Sequence, residues 1–180
     1  MIGGGGYGIL VRILRDQGFD TFYFDEYAQN IFANSFEFSP KTKIDLITSF
    51  EVFEHLENPA STLQSMLKIT PHILFSTLLI PEPIPPYQKE NQWWYYSFHH
   101  GQHISFFSKE SIKFLAKKHH LNYYNAGIIH LLTPKKINPI FFKVICKLAP
   151  YGLAQMIKNL SGIKSKTHSD SLMSQNAHSL

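Results

Sequence analysis

The stretch from Gly3 to Gly8 places the strongest constraint on how this chain can fold. It contains five glycines in six residues, and apolar residues at helical spacing follow from Ile9 to Asp16. Glycines let the backbone approach a ligand closely, and the N–H groups at a helix N-terminus point toward it. The aromatic run 22–24 then predicts a strand that ends at Asp25. An acid about 20 residues after such a loop accepts hydrogen bonds from ribose hydroxyls.

Two cofactor classes fit this order of elements, dinucleotides and S-adenosylmethionine. With Gly4 and Gly6 as its first two glycines, the dinucleotide fingerprint G-x-G-x-x-G needs a third glycine at position 9, where this chain has Ile9. The spacing Gly4-x-Gly6-x-Gly8 favours the G-x-G-x-G form found in methyltransferases. A flexible linker is the alternative interpretation of the glycine run, but it does not explain an acid, Asp25, at the end of the next predicted strand.

The strand that normally precedes such a loop is expected to be missing. Met1-Ile2 is too short to supply a buried central strand. A late recorded start and a truncated chain both remain open on this evidence.

Composition narrows the class of protein. A chain of 180 residues is long enough for a domain with a real core. The formal net charge is +4 with the lysines spread out, so we expect no nucleic-acid partner. The single cysteine, Cys146, excludes an internal disulfide and fits a reducing, cytoplasmic location. No apolar run approaches the ~20 residues of a transmembrane segment.

Strands alternate with helices over most of the chain, which is typical of a mostly parallel α/β sheet. The sequence predicts a Rossmann-like fold with flanking helices and a C-terminal antiparallel hairpin that turns at Gly127. The predicted strands are 21–25, 43–50, 73–78, 123–126 and 128–132, and the predicted helices are 9–17, 26–33, 60–69 and 109–118.

The order and spacing of several segments resemble class I S-adenosylmethionine-dependent methyltransferases over roughly residues 3–132. Besides the glycine loop and Asp25, these segments are Asp45-Leu46-Ile47-Thr48, Glu51-Val52-Phe53-Glu54-His55-Leu56 and Phe75-Ser76-Thr77. Two further segments resemble a bacterial branch of small methyltransferases, often associated with surface-glycan or secondary biosynthesis. They are Trp93-Trp94-Tyr95-Tyr96 and Gly101-Gln102-His103.

The resemblance implies roles for individual residues. Gly4, Gly6 and Gly8 would wrap the methionine and ribose part of the cofactor, and Asp25 would bind the ribose hydroxyls. Phe50 would lie against the cofactor. The family usually has an acid two residues before the first motif glycine, where this chain has Ile2.

Glu51, Glu54 and His55 have the i, i+3, i+4 spacing that places side chains on one face of a helix. Such a set is a half-site for a hard metal, which His103, or His99 and His100, would complete. The pattern resembles magnesium-assisted O-methyltransferases, in which bound Mg²⁺ would lower the pKa of a substrate hydroxyl. Helix capping and pairing by Glu54 and His55 is the structural alternative.

The tandem aromatic residues Trp93, Trp94, Tyr95 and Tyr96 are predicted to form a lid over the substrate, because aromatic faces suit sugars and flat acceptors. Core packing of a loop is the alternative. His103 is the best candidate for a general base, and a structural hydrogen-bonding role is its alternative.

Three regions are expected: a methyltransferase domain over 1–135, a helical segment over 136–160 and a disordered tail over 161–180. The helical segment would pack on the domain or on a second copy of the chain, or make weak peripheral contact with a membrane.

The expected function is methyl transfer from S-adenosylmethionine to a hydroxyl or amine of a small-molecule or glycan-precursor acceptor. A non-catalytic, truncated methyltransferase-fold protein is the alternative, and a nicotinamide-dependent oxidoreductase ranks below both. The residues leave O-, N- and C-methylation open.

Overall fold

The computed structural model describes residues 1–87, 93–99 and 103–177, and the chain divides into two units. One unit comprises Met1–Ile44 together with Lys147–Leu180, and the other comprises Asp45–Cys146. These boundaries differ from the expected domain over 1–135, because the N-terminal and C-terminal segments cluster with each other.

The first unit begins with a short parallel pair of strands. β1 (Ile2–Gly3) pairs with β2 (Tyr23–Phe24), and α1 (Ile9–Asp16) connects them. The expectation that no strand precedes the glycine loop is therefore corrected, since a two-residue strand forms there. The hydrophobic core of the first unit contains Ile2, Val11, Tyr23, Ala33 and Phe36.

The segment after β2 is not the helix predicted over 26–33. The Asp25 carboxylate accepts hydrogen bonds from the N–H groups of Tyr27 and Ala28, both at 2.9 Å. The Asn30 side chain bonds both the N–H and the carbonyl of Ala33. Such side-chain bonds offer the backbone an alternative to the helical ladder, which explains the difference.

The C-terminal part of the first unit contains α5 (Leu153–Ser161) and α6 (Thr167–Ala177). We expected residues 161–180 to be disordered, but α6 forms within this range. Asp170 on α6 is only 4% exposed and is paired with Arg12 and Arg15 of α1. This buried ion pair links α6 to α1, although the polar composition of the α6 segment predicts disorder.

The second unit is a four-stranded sheet in the order β3 (Ile47–Phe50), β4 (Ile73–Ser76), β6 (Ile129–Thr133), β5 (Asn122–Ala126). β3 and β4 are parallel, whereas β6 is antiparallel to both β4 and β5. The helices α2 (Pro59–Leu67) and α3 (Lys109–Lys118) lie within its chain segment, and α4 (Pro139–Leu148) begins there and ends two residues beyond it.

Local sequence signals explain the helix starts in this unit. The side chains of Asn58 and Ser108 cap α2 and α3 by accepting a backbone N–H three residues on. Phe53 stacks on Phe75 at 4.3 Å between ring centres in the core. Parallel strands linked by helices, with a C-terminal antiparallel hairpin, confirm the predicted Rossmann-like α/β class.

Candidate functional site

The glycine loop folds back onto the end of β2. Gly6 donates its N–H to Oδ2 of Asp25 at 2.9 Å, although the two residues are 19 positions apart. Gly4, Gly6 and Gly8 have φ angles of 71°, 54° and 88°, a region that side-chain-bearing residues rarely adopt. The loop therefore has a conformation that depends on its glycines, and it adjoins the acid that the sequence singles out.

The loop offers room for a ligand at Gly6. A Cβ atom built there would meet no heavy atom within 4 Å, whereas one built at Gly5 would lie 2.8 Å from the Tyr23 ring. The Asp25 carboxylate has about four lone-pair positions and accepts three backbone N–H groups. One acceptor position therefore remains for a ligand hydroxyl.

In the second unit, the candidate metal ligands follow β3 but do not share one helical face. A 3-10 helix covers only Phe53–His55, and Glu51 lies before it at a φ of 52°. Glu51 donates its N–H to Oγ of Ser76 at 2.9 Å, and Ser76 Oγ donates to Glu51 Oε1 at 2.5 Å. The predicted helical face is thus corrected, because Ser76 binds Glu51 next to the end of β4.

Glu54 is fully buried. Its Oε1 accepts a hydrogen bond of 2.6 Å from the Tyr95 hydroxyl, and its Oε2 has no hydrogen-bond partner among the described residues. Burial and the bond to Glu54 raise the pKa of Tyr95 to about 12, so Tyr95 remains a donor at neutral pH. An unpartnered buried carboxylate oxygen is costly, so Glu54 Oε2 is a candidate ligand atom for a cation.

His103 lies beside this carboxylate. Its Nδ1 is 2.7 Å from the Tyr95 carbonyl oxygen, and a carbonyl can only accept, so Nδ1 donates. Neutral His103 therefore presents the Nε2 lone pair. The N–H groups of Ile104 and Ser105 donate to the Glu54 carbonyl at 2.8 and 2.9 Å, which fixes His103 next to the 3-10 helix.

Three side chains converge at this point. One ligand atom from each of Glu54, His55 and His103 lies within 4.8 Å of the other two, and the two imidazoles meet edge to face at 4.9 Å. One carboxylate with two imidazoles is a donor set typical of Mn²⁺, Fe²⁺ or Zn²⁺, whereas Mg²⁺ prefers oxygen ligands. The structure thus groups His103, instead of Glu51, with Glu54 and His55.

The tandem aromatic residues separate into interior and surface positions. Tyr95 and Tyr96 are 2% and 7% exposed, whereas Trp94 is 72% exposed and Trp93 is half-buried. Burial of the two tyrosines favours the core-packing alternative for them, and the lid over the substrate stays a prediction for Trp93, Trp94, Tyr95 and Tyr96. Phe50 is half-buried at the end of β3, and His100, Gly101 and Gln102 lie outside the described residues.

The sequence analysis missed the residues that hydrogen-bond the candidate site residues, Ser76 and Thr77. The Tyr95 hydroxyl also lies 3.2 Å from Oγ1 of Thr77, and Ser76 holds Glu51. A signal was available, because polar residues at the carboxyl ends of neighbouring parallel strands meet at one edge of a sheet.

The sequence model of a methyltransferase domain family matches residues 3–126. The matched range runs from within β1 to the end of β5, and it includes the glycine loop, Asp25, Glu54 and His103. No curated protein and no solved structure matches the chain.

Proposed function

Because this chain belongs to the methyltransferase domain family, we propose that it transfers a methyl group from S-adenosylmethionine to a hydroxyl or amine of a small-molecule or glycan-precursor acceptor. The observation that supports this most directly is the hydrogen bond from Gly6 N–H to the Asp25 carboxylate beside open space at Gly6.

In this proposal Gly4, Gly6 and Gly8 contact the methionine and ribose part of the cofactor, and Asp25 accepts a ribose hydroxyl. Positive φ angles at the three glycines bring the backbone close to a ligand without a Cβ in the way. Phe50 supplies an apolar surface for the cofactor.

S-adenosylmethionine would supply a methyl group bound to a sulfonium sulfur. An acceptor oxygen or nitrogen would attack the methyl carbon in line, the S–CH₃ bond would break, and S-adenosylhomocysteine would leave. Positioning of the acceptor accounts for most of such a rate enhancement. For a hydroxyl acceptor, His103 Nε2 takes the proton, because Nδ1 is committed to the Tyr95 carbonyl. Trp94, the exposed member of the aromatic run, contacts the acceptor.

A divalent metal would be held by Glu54, His55 and His103, with Glu51 nearby in sequence. The unpartnered Glu54 Oε2 fits a cation, and the two imidazoles favour Mn²⁺ or Zn²⁺ over the Mg²⁺ expected from the sequence. Such a metal would lower the pKa of an acceptor hydroxyl. His103 would then serve as a ligand instead of as the base.

The test is calorimetric titration of the purified chain with S-adenosylhomocysteine. We expect binding by the wild type and its loss in Asp25→Ala. Glu26→Gln is the matched control, since it neutralises the adjacent exposed acid. If the wild type binds neither S-adenosylhomocysteine nor S-adenosylmethionine, the methyl-transfer proposal fails and a non-catalytic protein is the better account.

A further inference from the structure

The C-terminal half of the chain is basic over an unusually long distance. Between Glu110 and Asp170 the sequence has no acidic residue, and it has ten lysines. Twelve of the thirteen acids of the chain lie at or before Glu110. The modest net charge of +4 therefore conceals a strongly polarised distribution, in which α4 and α5 lie within the basic part.

α4 exposes an apolar stripe in this basic part. Ile140, Phe141, Val144 and Leu148 are 72%, 60%, 45% and 44% exposed. Their spacing of three and four residues places them along one side of the helix.

Packing fixes which side of α4 faces outward. The Phe142 ring contacts the Tyr124 ring at 6.2 Å, so that side of the helix lies against β5. Lys143 and Lys147 are exposed and lie one turn apart beside the stripe. Apolar residues on an outer helix face flanked by lysines are the pattern of a helix that lies in a membrane interface.

α5 repeats the pattern. Met156, Ile157 and Leu160 are 54%, 48% and 81% exposed at i, i+1 and i+4. Tyr151, just before α5, is 82% exposed. Neither α4 nor α5 has a fully buried residue. Two consecutive helices thus present apolar side chains that the described part of the chain leaves at least 44% exposed.

We propose that α4 and α5 each bind the surface of an anionic lipid bilayer, with the apolar stripe of the helix in the acyl-chain boundary and its lysines among the headgroups. Within the described part of the chain no single helix is long and apolar enough to cross a bilayer. Pro139–Tyr151 and Leu153–Ser161 reach that limit only as a sharply bent pair. In-plane binding suits two short helices separated by a bend.

The positive charge beside the apolar stripes favours a lipid bilayer over a second copy of the chain as their binding partner. A symmetric contact between two such surfaces would bring lysines of like charge together, which is unfavourable. An anionic bilayer instead attracts each lysine near its surface and accepts the apolar stripe.

The experiment is flotation of the full chain with phosphatidylcholine vesicles that contain either about 30% phosphatidylglycerol or none, because anionic lipid gives the bilayer a negative surface potential. We expect the chain to float with the anionic vesicles only, at low salt and without any cofactor. Because the readout involves no methyl donor, its failure is independent of the failure of methyl transfer.

Matched variants separate the contribution of lysine charge to vesicle binding from the contribution of the apolar stripe. Lys143→Gln/Lys147→Gln should lower the vesicle partition coefficient about 20- to 30-fold, since each lysine near the surface is worth about fivefold. Lys41→Gln/Lys43→Gln, an equal charge change at exposed positions of the first unit, should change it less than about twofold.

Phe141→Gln tests insertion of the apolar stripe and should lower partitioning about tenfold or more. Its control is Phe114→Gln on α3, where the ring is similarly exposed at 68%. All four variants change exposed residues, and circular dichroism verifies their fold.

Three outcomes would overturn the proposal: no flotation with anionic vesicles, equal flotation with neutral and anionic vesicles, or partitioning that Phe141→Gln leaves unchanged. A concentration-dependent dimer that Phe141→Gln dissociates, found without lipid binding, would identify a second copy as the occupant instead.

Discussion

Tyr95 donates a hydrogen bond of 2.6 Å to Oε1 of Glu54, which lies 41 residues earlier in the chain. Both side chains are buried, and the Tyr95 carbonyl oxygen also accepts a hydrogen bond from Nδ1–H of His103. One tyrosine therefore orients both the carboxylate and the imidazole of the candidate site, through its side chain and its backbone respectively.

Removing the Tyr95 hydroxyl should destabilise the fold. Tyr95→Phe should lower the free energy of unfolding by about 1.5–3 kcal/mol, because a buried carboxylate loses its donor. Tyr96→Phe is the control, since that hydroxyl donates to the neutral Pro85 carbonyl and should cost about 0.5–1.5 kcal/mol. Urea unfolding measures both, and equal costs would contradict a charged acceptor at Glu54.

The grouping of Glu54, His55 and His103 predicts metal affinity that depends on His103. His103→Ala should weaken Mn²⁺ binding by at least about tenfold in a calorimetric titration. The control is His168→Ala, an exposed histidine on α6 outside the cluster. Wild-type protein that binds no divalent cation, or that binds Mn²⁺ equally well without His103, would limit these side chains to proton transfer or structure.

The glycine loop predicts an order of sensitivity to alanine. At Gly8 a Cβ would lie 2.4 Å from Oδ1 of Asn30 at a φ of 88°, so Gly8→Ala must shift the Asn30 turn. At Gly6 only the left-handed backbone is strained, at about 1–2 kcal/mol. We expect Gly8→Ala to lose more stability than Gly6→Ala in thermal unfolding. The reverse order would mean that the loop conformation described here is wrong.

The pairing of α6 with α1 predicts a pH-dependent stability. Hydrogen bonds and charge attraction from Arg15 and Arg12 lower the pKa of Asp170. The stabilisation is therefore complete above the unfolded-state pKa of about 3.9, and it is lost as the pH falls through the lower folded-state pKa. Asp170→Ala should cost about 3 kcal/mol at pH 7 and progressively less at acid pH, as the pH falls below about 3.9.

Asp20→Ala is the control for this prediction. Asp20 also pairs with Arg15 and Lys166, but its side chain is 69% exposed. Exposed pairs contribute about 0–1 kcal/mol, so Asp20→Ala should change stability little at neutral or acid pH. A cost for Asp170→Ala that does not depend on pH would exclude the ion pair as the source.

The fold class could be predicted because it depends on local signals. Caps such as Ser108, the turn at Gly127 and the alternation of strands with helices act over a few residues, and α3 has the bounds predicted for it. The proximity of Asp25 to the glycine loop was also predictable, since a βαβ unit brings the loop after β1 and the end of β2 to the same edge.

The helix expected over 26–33 is wrong although the competing signals lie within or next to that segment, whereas the disordered tail expected over 161–180 could not be corrected from the chain alone. In the first case Asp25 and Asn30 bond nearby backbone groups in place of a helical ladder. In the second, Asp170 finds Arg15 across 155 residues of chain. Propensity is a weak prior that specific side-chain partners override.

The sequence determines the residue types of the candidate site. They are a glycine loop, an acid after β2, a Glu-x-x-Glu-His segment and a later histidine. Which of them meet is a property of the tertiary structure. Ser76 draws Glu51 to the end of β4, while Tyr95 and the Glu54 carbonyl bring His103 beside Glu54. Sequence spacing defines neighbours only within one regular element, and these contacts join separate elements by hydrogen bonds that form once the chain is folded.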